Sequence, residues 1–295
     1  MVSRRTHGAD ALNHCDRIGI KAITPSANDV PVVHLRPPRG WFSLNLRDLW
    51  QYRELIYFLT WRDLKVRYKQ TLLGALWAIL RPFMTMVVFS IFFGELGKVP
   101  SENLPYPVFA YTGLLPWELF ATALTVASHS LVNNRHMITK IYFPRVILPM
   151  ASILAGVVDF LIASVVLAGI MLYFGTPLAG PVWPVIFFLL LTLITALGVG
   201  LWLSALNVMY RDINYITPFL SQFWLLITPI AYGSSLVPES WRILYALNPM
   251  VGVVNGFRWA LLGMESGAPG PMMWVSVLVS LLLLVSGLIF FRRME

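Results

Sequence analysis

Six stretches of this chain are apolar for roughly 20 residues, the length that carries an α-helix across a bilayer. They run at about 73–94, 106–130, 146–174, 182–206, 214–232 and 272–291. Apolar residues follow one another without the period-two alternation of a membrane β-barrel, so the pattern predicts helices. Arg81-Pro82 interrupts the first stretch, and Pro105, Pro107 and Pro116 predict an irregular outer end for the second. The expected fold class is an all-α integral membrane protein with six transmembrane helices within 72–295.

The flanking segments carry different patterns. In 44–70, Leu46, Leu49, Trp50, Tyr57, Trp61, Leu64 and Tyr68 recur at helical spacing, opposite Arg47, Gln51, Glu54, Arg62, Lys65 and Lys69. Helices of this kind lie in the membrane interface, so 41–71 reads as an amphipathic interfacial helix. Residues 1–40 have no apolar run of the signal-peptide type and read as a polar cytoplasmic tail. Between the fifth and sixth spans, 233–271 holds apolar runs too short to cross, broken by Pro238, Pro249 and several glycines. Short re-entrant-like helices before the last span are expected there.

Composition narrows the class further. Of 295 residues, 57% are hydrophobic and only 12% charged, about half the charged share of a soluble domain. That excludes a soluble enzyme, a disordered chain and a fibre. The formal net charge of +8 does not point to nucleic acid, because its placement follows the membrane. Arg62, Lys65, Arg67, Lys69, Arg135, Lys140, Arg145, Arg211, Arg292 and Arg293 fall on one side, and Lys98, Arg242 and Arg258 on the other. The positive-inside rule then puts both termini in the cytoplasm.

Several chemistries are missing. The single cysteine, Cys15, excludes a disulfide scaffold and a multi-thiolate metal site. No phosphate-binding Gly-x-x-x-x-Gly-Lys-[Ser/Thr] loop and no Gly-x-Ser-x-Gly elbow occur. The five histidines form no ligand pair with a nearby carboxylate. Ionisable residues within the spans are chiefly Arg81, Glu118 and Asp159, fewer than an ion-coupled transporter usually places there. An integral membrane glycosyl- or acyltransferase would need paired carboxylates or a His-Asp set near one face, and none is found.

Two short basic loops remain. The first reads Asn133-Asn134-Arg135-His136-Met137-Ile138-Thr139-Lys140-Ile141-Tyr142-Phe143-Pro144-Arg145. A short helix there would present Met137, Ile138, Ile141 and Tyr142 as apolar knobs rimmed by charge, the marks of a protein-docking surface; a plain basic turn fits equally. The second loop, 207–215, carries Arg211-Asp212 between Tyr210 and Tyr215 and is open to the same two readings.

The run Trp61-Arg62-Asp63-Leu64-Lys65-Val66-Arg67-Tyr68-Lys69-Gln70-Thr71-Leu72-Leu73-Gly74, followed by Trp77 and Pro82, resembles the start of ABC-2 type permeases that export cell-surface polysaccharide. Gly113-Leu114-Leu115-Pro116-Trp117 with Phe120, the loop from Asn133 to Pro144, Tyr210-Arg211-Asp212 and Leu247-Asn248-Pro249-Met250 continue the resemblance over roughly 42–293. The wording of the first loop is closer to O-antigen and teichoic-acid exporters than to group 2 capsule exporters. Arg81 before Pro82 departs from the neutral polar residue common in such relatives.

The resemblance implies a homodimer in the bacterial inner membrane working with two separate ABC ATPase subunits. This chain would need no cofactor of its own, with ATP and magnesium bound by the partner. It implies an ATPase-coupling helix at about Asn133–Tyr142, giving Asn133, Arg135, His136, Met137, Ile138, Lys140 and Tyr142, joined by Arg211 and Asp212, as coupling candidates. The implied substrate is a polyprenyl-diphosphate-linked glycan, with a capsular polysaccharide, a teichoic acid or a small lipid or drug as alternatives. Arg62, Arg67, Lys69 and Arg81 are the cations best placed for the carrier phosphates, since arginine suits bidentate phosphate recognition; general attraction to membrane lipid is the competing role. Trp77, Phe83, Trp117 and Phe120 are candidates for an aromatic glycan pore. A buried Arg81 needs a counter-charge, and either a carrier phosphate or Asp159 would serve.

Overall fold

The computed structural model describes residues 50–69, 74–102, 104–238, 241–264, 268 and 270–294. The expected tail (1–40), the first part of the amphipathic segment with Leu46, Arg47 and Leu49, and residues 70–73 lie outside them. Among the described residues every regular element is helical.

In chain order these are α1 (Arg53–Lys69), α2 (Gly74–Phe89, continued by a π-helical segment Ser90–Leu96), α3 (Tyr106–Asn133), α4 (Arg135–Ile138) and α5 (Ile147–Tyr173). Then follow α6 (Pro184–Met209), α7 (Ile213–Ile227), a 3₁₀ turn (Ser234–Leu236), α8 (Arg242–Ala246), α9 (Pro249–Leu262) and α10 (Pro271–Met294). Among the described residues, four helices are long and apolar enough to cross a membrane: Leu76–Leu96, Ile147–Tyr173, Pro184–Met209 and Pro271–Met294. The other two expected spans differ in an informative way.

The second expected span, α3, has 28 residues, about 42 Å at 1.5 Å per residue. It is less apolar than its neighbours because it is the hub. It packs against α2, α5, α6, α7 and α9, and most of it is buried. Protein, not lipid, is its solvent, so polar side chains are tolerated where they bond locally. Thr112 donates to the Val108 carbonyl at 2.8 Å, Thr125 to Ala121 at 3.0 Å and Ser130 to Ala127 at 2.7 Å.

The fifth expected span is shortened. α7 has 15 residues, about 22 Å, less than the roughly 30 Å hydrocarbon core. It stops because Thr228 precedes Pro229 and takes an extended backbone (φ −86°, ψ 139°), as residues before proline tend to do. Two short helices precede the last long one. α9 is capped by the Asn248 side chain, which accepts from the Met250 amide at 3.0 Å, and it ends at Gly263 with φ 71°, a left-handed stop that suits glycine.

α6 and α10 approach closely through small residues. A Cβ at Gly198 would sit 2.7 Å from the Leu283 carbonyl carbon and the Leu284 amide nitrogen. Thr195 donates to Ser280 at 2.9 Å, Trp202 donates to Ser286 at 3.2 Å, and Trp202 stacks on Phe290 at 4.0 Å. Small side chains and interhelical hydroxyl bonds are how helices associate where apolar burial gives little drive.

α1 packs along the first half of α5. Leu59 is buried, and Tyr52, Leu55 and Ile56 join it in a cluster with Phe143, Ile147, Leu201 and Phe291. Trp50, Tyr57, Phe58 and Trp61 remain exposed. Two polar side chains of α1 turn toward protein: Thr60 donates to the Ala151 carbonyl at 3.3 Å, and Asp63 accepts from Ser152 at 3.1 Å, while Gln51, Glu54, Lys65 and Lys69 stay exposed. Tyr68 is a correction to the expected aromatic face, because its hydroxyl points at Asp159.

Candidate functional site

Pro82 has no N–H to donate, so within α2 the Ala78 carbonyl loses its helical partner. Ala78 and Pro82 both line a cavity of about 350 Å³ framed by α1, α2, α3 and α5. Its ionisable lining is Arg67, Arg81, Glu118 and Asp159, set beside Trp77 and Phe160. Four helices therefore bring two cations, two acids and an exposed indole to one cavity.

Each ionisable group there has a partner. Asp159 accepts from Arg67 and, on its other oxygen, from the Tyr68 hydroxyl. Burial, reinforced by that hydrogen bond, holds the Tyr68 hydroxyl above its ordinary pKa, so it stays a donor. Arg81 Nε meets Glu118 Oε2 at 3.1 Å. Asp159, one of the two counter-charges expected for Arg81, is thus engaged elsewhere, and the acid facing Arg81 is Glu118. Sequence separation concealed this, because Arg81 and Glu118 stand on different helices.

The other phosphate candidates stay outside the cavity lining. Arg62 pairs with Asp63 at 2.8 Å and donates to the Asn134 side chain at 2.9 Å, so it faces the first loop. Lys69 is exposed at the end of α1.

The pore candidates divide. Trp77 is 57% exposed and lines the cavity, and Phe83 is half-buried against the main core. Trp117 and Phe120 are core residues, 2% and 0% exposed; Phe120 lies between Trp117 at 5.5 Å and Trp224 at 5.0 Å. Side chains enclosed within one chain remain enclosed in any assembly, so their expected place on a pore wall is corrected. The structure exposes a different aromatic stripe, Tyr215, Phe219 and Phe223 on α7, with Phe219 and Phe223 stacked at 6.4 Å. The i, i+4, i+8 spacing was the available signal.

The first loop is also rearranged. Its helix α4 covers only Arg135–Ile138, after Asn134. Met137 and Ile138 pack back on the cluster containing Leu59 and Phe143, so they are not the outward knobs expected. Ile141 and Tyr142 are, at 60% and 66% exposed. Arg135, His136, Lys140, Arg211 and Asp212 are exposed around them or in the second loop, as is Asn133 at the end of α3. Asn207, which sequence patterning does not single out, donates to the Ser128 carbonyl at 2.9 Å and so ties the end of α6 to the end of α3. Among the described residues, no group of three or more His, Cys, Asp or Glu gathers as a metal site.

Comparison with known proteins agrees with this architecture. Residues 54–262 match the ABC-2 type transporter family. The chain is 31% identical over 256 residues to the O-antigen export system permease protein RfbA of Myxococcus xanthus, covering 85% of this chain and 96% of that protein. It is 30% identical over 206 residues to the protein of the same name from Klebsiella pneumoniae, covering 70% and 79%. More distantly, it is 25% identical over 208 residues to the polysialic acid transport protein KpsM of Escherichia coli, covering 68% and 78%. The family match spans most of the chain, one relative is aligned over nearly its whole length, and four helices among the described residues are long and apolar enough to cross a bilayer: this protein is a multi-pass membrane protein of the ABC-2 type transporter family.

Proposed function

We propose that this chain is the permease subunit of an ATP-driven exporter that carries a lipid-linked, O-antigen-like polysaccharide from the cytoplasm across the bacterial inner membrane. Two copies form the pathway and two ABC ATPase subunits drive it, so ATP and magnesium are held by the partner. The observation that carries the chemical side of this reading is the cavity with Arg67, Arg81 and Trp77. Guanidinium groups suit the phosphates of a polyprenyl diphosphate carrier, and an exposed indole offers a face to the first sugar. Exposed Tyr215, Phe219 and Phe223 on α7 extend the choice of aromatic surfaces. The names of the RfbA relatives support O-antigen over the capsular alternative.

In this reading both termini are cytoplasmic, α1 lies at the cytoplasmic interface, the chain crosses six times, and α8 and α9 occupy the outer half of the bilayer. Ile141 and Tyr142, with Arg135, His136, Lys140, Arg211 and Asp212 around them, form the ATPase-docking surface. Export is tested in a strain lacking the chromosomal copy. The wild-type chain restores surface polysaccharide, and Arg81→Ala leaves the lipid-linked intermediate inside. Full surface polysaccharide in a strain with no copy of this chain would remove the proposal.

A further inference from the structure

The four ionisable side chains lining the α1–α2–α3–α5 cavity cancel in formal charge, Arg67 and Arg81 against Glu118 and Asp159. A neutral cavity exerts little net pull on an anion, whatever cations it contains. An anion that binds there must take a cation away from its acid.

The two pairs are built differently. Asp159 accepts from Tyr68 as well as from Arg67, so it keeps a donor when Arg67 turns. Glu118 faces Arg81 with Nε 3.1 Å from Oε2 and has no second donor of that kind. Turning the guanidinium fork fully onto a phosphate, in the bidentate fashion that suits it, gives that contact up. The side chains also differ in access: 62% exposed for Arg81 against 17% for Glu118. The acid sits in the wall and the cation at the opening.

Resting on the proposed phosphate-carrier reading, we propose that Glu118 is a placeholder anion and a specificity-determining residue. It holds Arg81 in place while the cavity is empty and yields it when the diphosphate of a lipid-linked substrate arrives. Ordinary membrane phospholipids carry a single phosphodiester charge and compete poorly with a carboxylate already in contact. A diphosphate carries more charge on adjacent groups and wins the exchange. Specificity comes here from a repulsive element, the acid, as much as from the attractive one. Asp159, anchored by Tyr68, keeps the second cation from drifting.

The test uses the complete chain with its ATPase, in nanodiscs of zwitterionic lipid, with farnesyl diphosphate and farnesyl monophosphate as probes. The wild type binds the diphosphate more tightly. Glu118→Gln frees Arg81. If the pair is closed nine-tenths of the time, apparent affinity rises about tenfold when it is released. Both probes gain, so the monophosphate, held off in the wild type, becomes a detectable ligand. Glu118→Asp, which keeps the charge but shortens the reach, raises both affinities by less and decides the matter if Glu118→Gln is not recovered folded. Unchanged or weaker binding of both probes overturns the exchange while leaving the phosphate site standing. A wild type that binds neither probe refutes the phosphate site itself, and the exchange with it.

Discussion

Arg258 is the largest fully buried side chain described, 1% exposed, and its removal gives a sharp test of what holds the α7–α9 region together. Its Nη1 donates to the Pro229 carbonyl at 2.6 Å and its Nη2 to the Ile230 carbonyl at 2.8 Å, with longer contacts to Tyr232 and Phe109 at 3.4 Å. The guanidinium carbon lies 3.6 Å from the Phe109 ring centroid, and Gly113 leaves room for it, since a Cβ there would meet Nη2 at 2.9 Å. Arg258 therefore supplies the donors that the chain lacks where α7 stops. Arg258→Met keeps most of the volume and strands two closely bonded buried carbonyls. At about 1–3 kcal/mol for each orphaned group, less the recovered cost of burying the cation, the loss is about 2–4 kcal/mol. Arg258→Lys keeps one strong donor and loses about half of that. Reversible unfolding in mixed micelles, followed by tryptophan fluorescence, measures both. Hydrogen exchange across 228–236 localises the loosening. An Arg258→Met protein with wild-type unfolding free energy and wild-type exchange in that segment would refute the reasoning.

Replacing Ile141 and Tyr142 together by Asp abolishes co-purification of the ATPase and export while the permease remains folded; Met137→Asp instead lowers the yield of folded protein, because Met137 packs inward. The two are separated by size-exclusion profile and pull-down. Gly198→Val drives α6 away from the α10 backbone and lowers the melting temperature by several degrees or prevents assembly, read by fluorescence-detected chromatography; a wild-type melt would show that the pair can slide. In a Cys15-free background, Arg135→Cys and Asp212→Cys react with an impermeant thiol reagent only when the cytoplasmic face is open, and Leu178→Cys reacts from outside. The reverse pattern would invert the proposed topology.

Sequence patterning located the four long apolar helices to within a few residues, because lipid imposes a continuous apolar run that nothing else in the chain mimics. It also placed α3, yet gave no hint that α3 is the hub. A helix surrounded by protein keeps Glu118, Thr112 and Ser128 that a lipid-facing helix would shed. Thr228-Pro229 carried the signal for the early end of α7, but an apolar window cannot distinguish a broken helix from a continuous one. Of the site, the cations Arg67 and Arg81 and the indole of Trp77 were visible as residue types. Of their acids, Asp159 was set against Arg81, whereas it meets Arg67, and Glu118 had no partner assigned, since pairing across helices depends on rotation and depth. Arg258 counted in the sequence only as one external charge among three; its burial follows from the carbonyls of 229–232, which no local pattern encodes.

The packing also limits where a glycan can travel. Around α3 the interior is filled: Phe109, Tyr111, Phe120, Phe188 and Phe257 are all fully buried, and protein interiors at such density leave few voids larger than a water molecule. A sugar chain is wider than that, so the packing around α3 leaves it no room among the described residues. Among the aromatic side chains free to meet a sugar on the outside of the bundle are Trp77 on α2 and Tyr215, Phe219 and Phe223 on α7. Lipid alone would be an ordinary neighbour for Phe219 and Phe223, but not for Arg81, which stands on the same helix as Trp77 and is 62% exposed. A guanidinium at that position is costly against hydrocarbon. The exposed side of α2 is therefore better matched to an enclosed, partly polar space than to lipid, and a second copy of the chain facing it would create one. In the proposed homodimer, substrate passage and dimer formation would become one requirement: the pathway would form where two protomers meet, beside the cavity that holds Arg67 and Arg81.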